Sequence, residues 1–373
     1  MITSYHRPTK AVIDTAAITT NVASAVKKLT GTSELFAVVK ADGYGHGAHA
    51  VAHAAIAGGA TGFCVATIDE GIDLRQAGFT QPILILGVTD ARYTKIILEY
   101  DLSITIATLA DLAKFERELA TIVTSGKLKI HLKIDTGMGR IGFLNTADLQ
   151  MAVEKISTRV NMEWEGIFTH FAKADTEDDT YWLEQRDIFN AFLASLAELP
   201  RYIHINNSAT TLWHPNQIGN LVRYGVAMYG LNPSGGELAL EEKLQPAFEL
   251  VSELVQVKRV PAGTHISYGA TYTSQQAEWI GTVPIGYADG WLRKMQGFAL
   301  LVEGSYCEIV GRICMDQLMI RLPQEFSVGT KVTLIGKNGG ETITMQEVAD
   351  YLGTIHYEVA CTISDRVPRE YRK

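Results

Sequence analysis

The sequence predicts an α/β fold in which a (β/α)8 barrel is followed by a mostly β C-terminal domain. Up to about Leu231, short β-rich apolar runs alternate with longer amphipathic stretches, as in repeated βα units around a parallel sheet. After residues 232–236, alternating runs joined by glycine-rich turns replace that pattern. We therefore predict a barrel domain over residues 1–240 and a β-rich domain over residues 241–373.

Eight short apolar runs in the first part of the chain are candidate barrel strands. They cover residues 35–40, 63–67, 83–86, 104–107, 129–134, 166–170, 202–206 and 225–229, with helical patterns such as 109–124 and 181–199 between them. In a (β/α)8 barrel the catalytic residues lie where strands end and loops begin, on the C-terminal face. The polar residues near those points are Lys40, Arg140, His170, Asn207, Ser208 and Arg223.

The C-terminal region carries alternating apolar runs over residues 250–259, 298–302, 307–310 and 331–335. A period of two is typical of strands that have one buried face. One helical stretch, residues 345–352, interrupts them. We interpret the region as a second domain that is mostly β.

Composition and charge exclude several classes of protein. With 373 residues, 47% of them hydrophobic, the chain can bury substantial cores. Its net charge of −8 comes from interspersed acids and bases, without the basic stripe that binds nucleic acid. No apolar run approaches the ~20 residues of a membrane span, and no apolar segment follows the first charges as in a signal peptide. We expect a globular, cytoplasmic protein that binds neither nucleic acid nor membranes.

Cysteine and histidine spacing gives no indication of a metal site. The four cysteines are scattered without a Cys-x-x-Cys pair, which predicts reduced thiols and no disulfide framework. His46, His49 and His53 have helical spacing but no nearby cluster of carboxylates or thiolates. We interpret these histidines as ordinary helix residues.

The segment from Ala37 to Gly47 places Lys40 at the end of an apolar strand, directly before a turn with three glycines. Apolar surroundings lower the pKa of a lysine, and the neutral amine can form a Schiff base with an aldehyde cofactor such as pyridoxal phosphate. Glycines let the chain turn sharply beside a bulky ligand. The alternative is a plain strand that ends in a solvated lysine, and this segment does not decide between the two.

A second segment, Lys133 to Gly142, carries a lysine on an apolar strand and returns Arg140 by a glycine-rich loop. Two cations at one barrel mouth repel each other unless an anion lies near them. The functional interpretation is an arginine that donates to an oxygen of the cofactor ring, with the charge of Lys133 removed or paired. The alternative is a surface loop with solvated charges.

Residues 206–210 lie at a strand-to-helix junction, where free backbone N–H groups and the helix dipole favour a phosphate. A plain N-cap made by Asn207 or Ser208 is the simpler interpretation. Further along, Arg223 precedes Gly225, whose backbone can approach the same phosphate. Because a guanidinium is charged and has no acceptor, Arg223 beside a pyridine nitrogen would leave that nitrogen unprotonated.

In the β-rich region, Tyr268 precedes a glycine turn, and residues 311–316 form a compact polar turn. A tyrosine is a poor base at its reference pKa of about 10, so it needs positive neighbours to take a proton near neutrality. The alternative is a tyrosine that packs in the strand with its hydroxyl in water.

Taken together, these segments resemble the alanine racemase family of fold-type III pyridoxal-phosphate enzymes. The similarity spans essentially the whole chain, in order, over residues 37–47, 131–142, 166–171, 204–209, 223–230, 267–272, 286–291, 311–317 and 357–368. Each match is short, but nine in sequence are not expected by chance. One departure is Tyr224, where many relatives have proline between the arginine and the glycine.

The resemblance implies pyridoxal 5'-phosphate as the cofactor and a homodimer with shared active sites. Lys40 would hold the cofactor as a Schiff base and exchange the α-proton of D-alanine, and Tyr268 of the partner subunit would exchange that of L-alanine. Arg223 would bond the pyridine nitrogen, and His170 would link it towards the tyrosine. The implied cofactor contacts are Lys40, Tyr44, Arg140, His170, Asn207, Ser208, Arg223, Gly225, Val226 and Tyr357.

The resemblance also implies roles in substrate binding. Arg140 and the partner's Met315 would help to bind the substrate, and Tyr287 and Tyr357 would narrow the entry to small side chains. Family members often carry a carbamylated lysine at the position of Lys133. That group would turn a surplus cation into an anion that orients Arg140.

Three alternatives stay open beside an alanine racemase that supplies D-alanine for bacterial peptidoglycan. A serine or broad-specificity racemase would share the mechanism. A fold-type III amino-acid decarboxylase shares the domain plan, but such enzymes usually pair the pyridine nitrogen with a carboxylate, and the matching segment here offers Arg223. A cofactor carrier built on the barrel alone would not need the second domain with Tyr268.

Overall fold

The computed structural model describes residues 2–214 and 219–373. The strands are β1 (Lys10–Asp14), β2 (Glu34–Val38), β3 (Gly62–Val65), β4 (Ile83–Val88), β5 (Ser103–Ile106), β6 (Leu128–Lys133), β7 (Met162–Phe168), β8 (Tyr202–His204), β9 (Leu221–Tyr224), β10 (Phe248–Glu253), β11 (Gln256–Val260), β12 (His265–Ile266), β13 (Tyr272–Thr273), β14 (Glu278–Val283), β15 (Ala299–Val302), β16 (Ser305–Glu308), β17 (Leu318–Leu322), β18 (Lys331–Asn338), β19 (Glu341–Ile343) and β20 (Arg369–Arg372).

The helical segments complete the element order. They are α1 (Thr15–Lys27), α2 (Lys40–Gly45), α3 (Ala48–Ala57), α4 (Ile68–Gln76), α5 (Thr94–Glu99), α6 (Leu109–Leu119), α7 (Thr146–Ser157), α8 (Thr180–Ala194), α9 (Ser208–Trp213), α10 (Met345–Leu352) and α11 (His356–Thr362). Short 3₁₀ turns occur at Ala91–Tyr93, Val226–Tyr229, Tyr268–Ala270, Tyr287–Asp289 and Arg293–Met295.

The chain divides into two compact units. One contains the described parts of residues 17–43 and 48–245, and the other those of residues 1–16, 44–47 and 246–373. The predicted division at residue 240 gave the N-terminus to the barrel, whereas residues 1–16 lie in the β-rich unit. The reason is long-range pairing: β1 runs antiparallel to β10 and parallel to β20. Hydrophobic periodicity is local and carries no information about such partners.

The first unit is the predicted (β/α)8 barrel. Its parallel strands follow the order β8-β7-β6-β5-β4-β3-β2-β9. The two end strands meet at a parallel bridge between Asn206 and Val222, where the N–H of Arg223 donates to the Asn206 carbonyl at 2.9 Å. All eight strands are rich in buried apolar residues, as expected for a parallel sheet covered on both faces. The barrel prediction is confirmed.

The eighth predicted strand was misplaced. The strand covers Leu221–Tyr224, and Val226–Tyr229, inside the predicted run of 225–229, forms a 3₁₀ turn. Apolar residues continue from 221 to 229 with only Arg223 and Gly225 between them, so the pattern does not mark the end of the strand. Gly225 (φ −114°, ψ −108°) leaves the strand geometry there.

Several helices begin at residues whose side chains cap the helix N-terminus. Thr67, Thr108 and Asn145 each accept a backbone N–H three residues later, which starts α4, α6 and α7. The predicted helices 109–124 and 181–199 are present but shorter, ending at Leu119 and Ala194. The predicted helix 345–352 is present as α10, which Thr344 and Glu347 start with a capping box.

The second unit is mostly β, as predicted. A seven-stranded sheet has the order β16-β15-β18-β10-β1-β20 with β19 paired to β18, and β11-β14-β17 form a separate three-stranded sheet. The predicted run 250–259 is two strands, β10 and β11, that belong to these different sheets. Helix α11 was not predicted. No helix in the described ranges has the length and apolarity to cross a membrane.

Candidate active site

Lys40 lies two residues after the end of β2, at the C-terminal end of the barrel, and is partly buried. The five residues after it all have left-handed backbone angles: Ala41 (φ 52°), Asp42 (51°), Gly43 (60°), Tyr44 (54°) and Gly45 (75°). Each non-glycine residue in this region costs roughly 1–2 kcal/mol. The sequence predicted a glycine turn here, but not a continuous left-handed one. Such strain persists only where the surrounding structure enforces it, and it concentrates at functional sites.

Two contacts hold the start of this turn. The N–H of Ala41 donates to Glu70 Oε1 at 2.7 Å, and the N–H of Ala48 donates to Asp42 Oδ1 at 2.7 Å. Both carboxylates accept backbone N–H groups on the C-terminal side of Lys40. They therefore fix the backbone on the C-terminal side of Lys40.

The mouth of the barrel carries an excess of positive charge around His170. Burial lowers the pKa of His170 well below its usual value, and nearby cations lower it further. These cations are Arg223, Arg140, Lys133 and Lys40. His170 is consequently neutral near pH 7, and the site favours an anionic ligand.

Lys133 lies at the end of β6 and is buried, with 2% of its surface exposed. Its Nζ donates to the carbonyl oxygens of Ile134 at 2.6 Å and Ile141 at 3.3 Å. Burial, together with Arg223 and Arg140, lowers the pKa of Lys133 to about 7. The amine is thus partly neutral at physiological pH, which makes it a nucleophile. Arg140 follows on the exposed loop after the same strand.

Arg223 points along the inside of the barrel from β9. One guanidinium nitrogen donates to His204 Nδ1 at 2.8 Å and to the His204 carbonyl at 2.9 Å. The other donates to the Thr169 carbonyl at 2.8 Å and lies 3.5 Å from His170 Nδ1. Burial lowers the pKa of Arg223 to about 10, so the group stays charged at neutral pH.

The loops after the seventh and eighth barrel strands meet at Ser208, and residues 207–208 and 225–227 there form a candidate anion cradle. Asn207 caps α9 by accepting the N–H of Thr210 at 2.9 Å. Ser208 Oγ accepts the N–H groups of Gly225 at 2.9 Å and Ala227 at 3.4 Å, which joins the two loops. A short helix beside these two loops is where (β/α)8 barrels frequently bind phosphate. Val226, between the two donors, lies in the same cradle.

In the β-rich unit, Tyr268 stands on a strained turn with 69% of its surface exposed. Ser267 (φ 67°, ψ −179°) occupies a region used almost only by glycine, and Ala270 (φ 47°) is left-handed. The Ser267 hydroxyl donates to the Arg312 carbonyl, which ties this turn to the polar turn at 311–316. The Arg312 guanidinium lies against Gly269, where an added Cβ would be 3.0 Å from Nη1.

The polar turn also joins Tyr268 to two other predicted site residues. The N–H of Tyr287 donates to the Cys314 carbonyl at 3.1 Å, and the N–H of Ala288 donates to the Met315 carbonyl at 3.0 Å. Met315 is 53% exposed and Tyr287 is 39% exposed. Tyr268, Tyr287 and Met315 therefore form one exposed group, held together by backbone hydrogen bonds.

Tyr44 and Tyr357 form a separate pair in the β-rich unit. Their ring centroids are 6.1 Å apart, and Tyr357 also stacks on His356 at 4.7 Å. Gly45 fits closely against α11, since an added Cβ would lie 2.4 Å from the Ala360 carbonyl oxygen. This close approach explains one of the glycines that follow Lys40.

Sequence reasoning gave no role to four buried polar residues: His131, His204, Glu165 and Asp289. The first three lie on apolar barrel strands, and Asp289 accepts hydrogen bonds from Arg7 Nη1 at 3.1 Å and from the N–H of Gly286 at 2.9 Å. An ionisable residue inside an otherwise apolar strand was the available signal, because such groups are rarely buried without partners.

Two of the three histidines with helical spacing, His49 and His53, lie on α3. His49 lies on α3 with Nε2 2.7 Å from Asp73 Oδ2, and His46 lies before that helix. Over residues 2–214 and 219–373, no three histidine, cysteine or acidic side chains are arranged to hold a metal ion.

The residues of the barrel mouth fit an aldehyde cofactor that carries a phosphate. The cradle of Ser208 and Gly225 suits the phosphate, the cations suit its charge, and Lys40 supplies an amine. Arg223, held rigidly by carbonyl and imidazole acceptors, is suited to face a ring nitrogen that has no proton.

Comparisons with known proteins match this chain to one family over nearly its whole length. Residues 13–233 match the family model "Alanine racemase, N-terminal domain" and residues 247–371 match "Alanine racemase, C-terminal domain". The chain is 55% identical to the alanine racemase of Ligilactobacillus salivarius over 373 residues, with 100% of both chains covered.

Solved structures are similar over the same length. A crystal structure of alanine racemase from E. faecalis has a TM-score of 0.97 and 56% identity, covering 100% of both chains. A histidine racemase from Leuconostoc mesenteroides subsp. sake has a TM-score of 0.93 and 32% identity, also with 100% of both chains covered. The fold is thus shared by proteins named for different substrates.

Proposed function

Since this chain belongs to the alanine racemase family, whose members are pyridoxal-phosphate-dependent isomerases, we propose that it interconverts L- and D-alanine with Lys40 and Tyr268 as its two proton-transfer groups. The supporting observation is the positively charged barrel mouth, where Arg223, Arg140, Lys133 and Lys40 lie close enough to lower the pKa of His170, together with the candidate anion cradle at Ser208 and Gly225. That surface suits the cofactor phosphate and the substrate carboxylate together.

Bound pyridoxal phosphate would draw electrons from the α-carbon of the amino acid, so that its proton becomes acidic. Lys40 takes or returns that proton on the side of D-alanine. Ser208, Asn207, Gly225 and Val226 would hold the phosphate, and we assign Tyr44 and Tyr357 to the same task from the family resemblance. Arg223 would donate a hydrogen bond to the ring nitrogen, and because a guanidinium has no acceptor, that nitrogen would carry no proton.

Tyr268 of the partner subunit serves the side of L-alanine. Inversion of a stereocentre requires proton transfer on opposite faces, so one base is not sufficient. The exposure of Tyr268 (69%) and Met315 (53%) in a single chain supports a homodimer in which a second copy covers them. His170 is neutral and lies 3.5 Å from Arg223, so it can accept or donate a hydrogen bond between Arg223 and the tyrosine without adding charge.

We further propose a small substrate and a role in the bacterial cytoplasm, where D-alanine feeds peptidoglycan synthesis. Tyr287 and Tyr357 limit the side chain, and Arg140 and the partner's Met315 bind the substrate. A decarboxylase is disfavoured because Arg223, not a carboxylate, is the residue suited to the ring nitrogen. A neutral pyridine is a weaker electron sink, which favours simple proton exchange.

The first test is racemisation by the purified protein with pyridoxal phosphate. L-Alanine, L-serine, L-histidine and L-lysine are supplied in parallel, and chiral chromatography follows the products. We expect D-alanine to form fastest. Faster formation of D-serine or D-histidine would change the substrate and keep the mechanism, whereas release of carbon dioxide from any of the four would contradict the proposed reaction.

We also propose that Lys133 is carbamylated, and a separate measurement tests this. The neutral amine attacks carbon dioxide, forms a C–N bond and releases one proton, which leaves an anion between Arg140 and Arg223. At constant carbon dioxide pressure, a carbamate signal in carbon-13 NMR should increase as the pH rises through about 7, the pKa of this amine.

The matched variants for this measurement lie on one strand. Lys133→Arg should remove the carbamate signal, and Lys129→Arg, which changes a lysine paired with Asp101 at 2.7 Å, should keep it. A wild-type protein without the signal above pH 7, or a signal that survives in Lys133→Arg, would show that this lysine is not modified.

A further inference from the structure

A chain of buried hydrogen bonds runs from Arg223 through the inside of the barrel to Glu165. Arg223 Nη1 lies 2.8 Å from His204 Nδ1, and His204 Nε2 lies 2.8 Å from His131 Nδ1. His131 Nε2 lies 3.0 Å from Glu165 Oε2, which also accepts a hydrogen bond from the Ser103 hydroxyl. His131 and His204 have no exposed surface, and Glu165 is 6% exposed.

The chemistry of the two ends determines the direction of every bond. Arg223 can only donate, so His204 Nδ1 must accept and the His204 proton must lie on Nε2. That proton is donated to His131 Nδ1, which places the His131 proton on Nε2 as well. The last proton is donated to Glu165. The chain is fully satisfied only when both histidines are neutral Nε2–H tautomers and Glu165 is a carboxylate.

The charge states implied by the pKa shifts agree with this arrangement. Burial lowers the pKa of His204 well below its usual value, and the positive charge of Arg223 lowers it further. Burial alone would raise the pKa of Glu165, but His131, Ser103 and Lys129 together outweigh it and lower that pKa. His204 is therefore neutral and Glu165 ionised near pH 7.

The backbone is shaped to hold this chain. The register of β6 and β7 shifts between Ile130 and His131, so that His131 lies opposite Gly166. A Cβ on Gly166 would be 2.3 Å from His131 Nδ1, so only glycine leaves room for the ring. His204 stacks on Phe168, with centroids 4.6 Å apart and planes at 5°. The rings cannot rotate freely, and the hydrogen-bond directions therefore matter.

We propose that Glu165 is a positioning residue that acts through His131 and His204 on Arg223. Its carboxylate fixes both imidazole tautomers and so keeps His204 Nδ1 available as the acceptor that orients the guanidinium. The inference rests on the proposed role of Arg223 toward the cofactor ring, which makes that orientation important for the reaction. Without the acceptor at Glu165, the Nε2 proton of His131 loses its partner, so both histidines can change tautomer while their rings stay in place. His204 Nδ1–H would then face the N–H of Arg223 and push the guanidinium out of position.

The test compares Glu165→Leu with Glu165→Gln. Leucine removes the acceptor at similar volume, whereas the glutamine carbonyl can still accept from His131. Histidine is labelled with nitrogen-15, and the four ring nitrogens of His131 and His204 are assigned by single substitutions in the cofactor-free protein. Racemisation is measured on the loaded enzyme. Glu163→Leu, an exposed position on the same strand, is the control for loss of a glutamate.

We expect Nε2–H tautomers at both histidines in the wild type and in Glu165→Gln, and a shift towards Nδ1–H in Glu165→Leu. We also expect kcat to fall about 10–100-fold in Glu165→Leu, the usual loss for an outer partner that orients a functional group. Glu165→Gln should lose far less, and Glu163→Leu should match the wild type.

Unchanged tautomers in Glu165→Leu would overturn the inference, as would equal losses of kcat in the leucine and glutamine variants. The NMR result does not depend on the reaction catalysed. A wild type that fails to racemise alanine would instead reject the proposed function, while its tautomers would still report on the hydrogen-bond chain.

Discussion

Lys40→Ala is expected to abolish racemisation in both directions, with kcat reduced at least about 10⁴-fold, the upper range for loss of a general acid–base. The proposed function gives Lys40 two tasks, because it both links the cofactor and moves a proton. The left-handed turn from Ala41 to Gly45 begins directly after Lys40 and constrains the backbone that carries this amine. Chiral chromatography from L-alanine and from D-alanine measures the loss.

A second readout separates chemistry from folding. Borohydride should fix the cofactor to the peptide that contains Lys40 in the wild type and leave the variant unlabelled. Lys155→Ala, a surface lysine on α7 that is 44% exposed, should behave like the wild type in both assays. Racemisation retained by a folded Lys40→Ala protein would exclude the proposed mechanism.

Tyr268→Phe is expected to remove proton exchange from L-alanine and to keep it from D-alanine. In deuterated water, loss of the α-proton of L-alanine should slow by about 10²–10⁴-fold, while D-alanine still exchanges through Lys40. Phenylalanine keeps the ring and the packing of the strained turn between Ser267 and Ala270 but has no hydroxyl. Proton NMR of each enantiomer follows the exchange.

The matched control is Tyr272→Phe on the neighbouring strand β13. The Tyr272 hydroxyl donates to Glu278 at 2.6 Å, so this variant also loses a tyrosine hydroxyl but not one of the exposed group. Both exchange rates should remain near the wild-type values. An unaltered L-alanine rate in Tyr268→Phe would remove this residue as a base, and equal loss from both enantiomers would point to a general effect on binding.

The sequence alone predicted the fold class and the region of the site. Eight apolar runs with amphipathic stretches between them are sufficient for a (β/α)8 barrel, and the barrel restricts catalytic residues to the ends of its strands. Lys40, Lys133 and Arg223 were predicted as site residues in this way, because lysine and arginine beside apolar strands and glycines are local features that one segment displays.

Only the tertiary structure decided where distant segments pair. The N-terminal strand β1 joins β10 and β20 in the β-rich unit, and the eighth barrel strand ends at Tyr224, before the predicted run begins. Hydrophobic periodicity records which residues are buried, whereas strand partners depend on hydrogen bonds between segments far apart in the chain.

The difference between local pattern and long-range pairing also explains why sequence analysis singled out Lys40 but not the buried hydrogen-bond chain. Lys40 and its glycine turn can be recognised within eleven residues. His131, Glu165 and His204 have meaning only together, since each is an isolated polar residue on a different strand until the barrel places them within 3.0 Å of one another in a chain. Buried polar groups need hydrogen-bond partners, so burial required these three side chains to bond to one another. Which residues are buried together depends on the packing of the whole barrel.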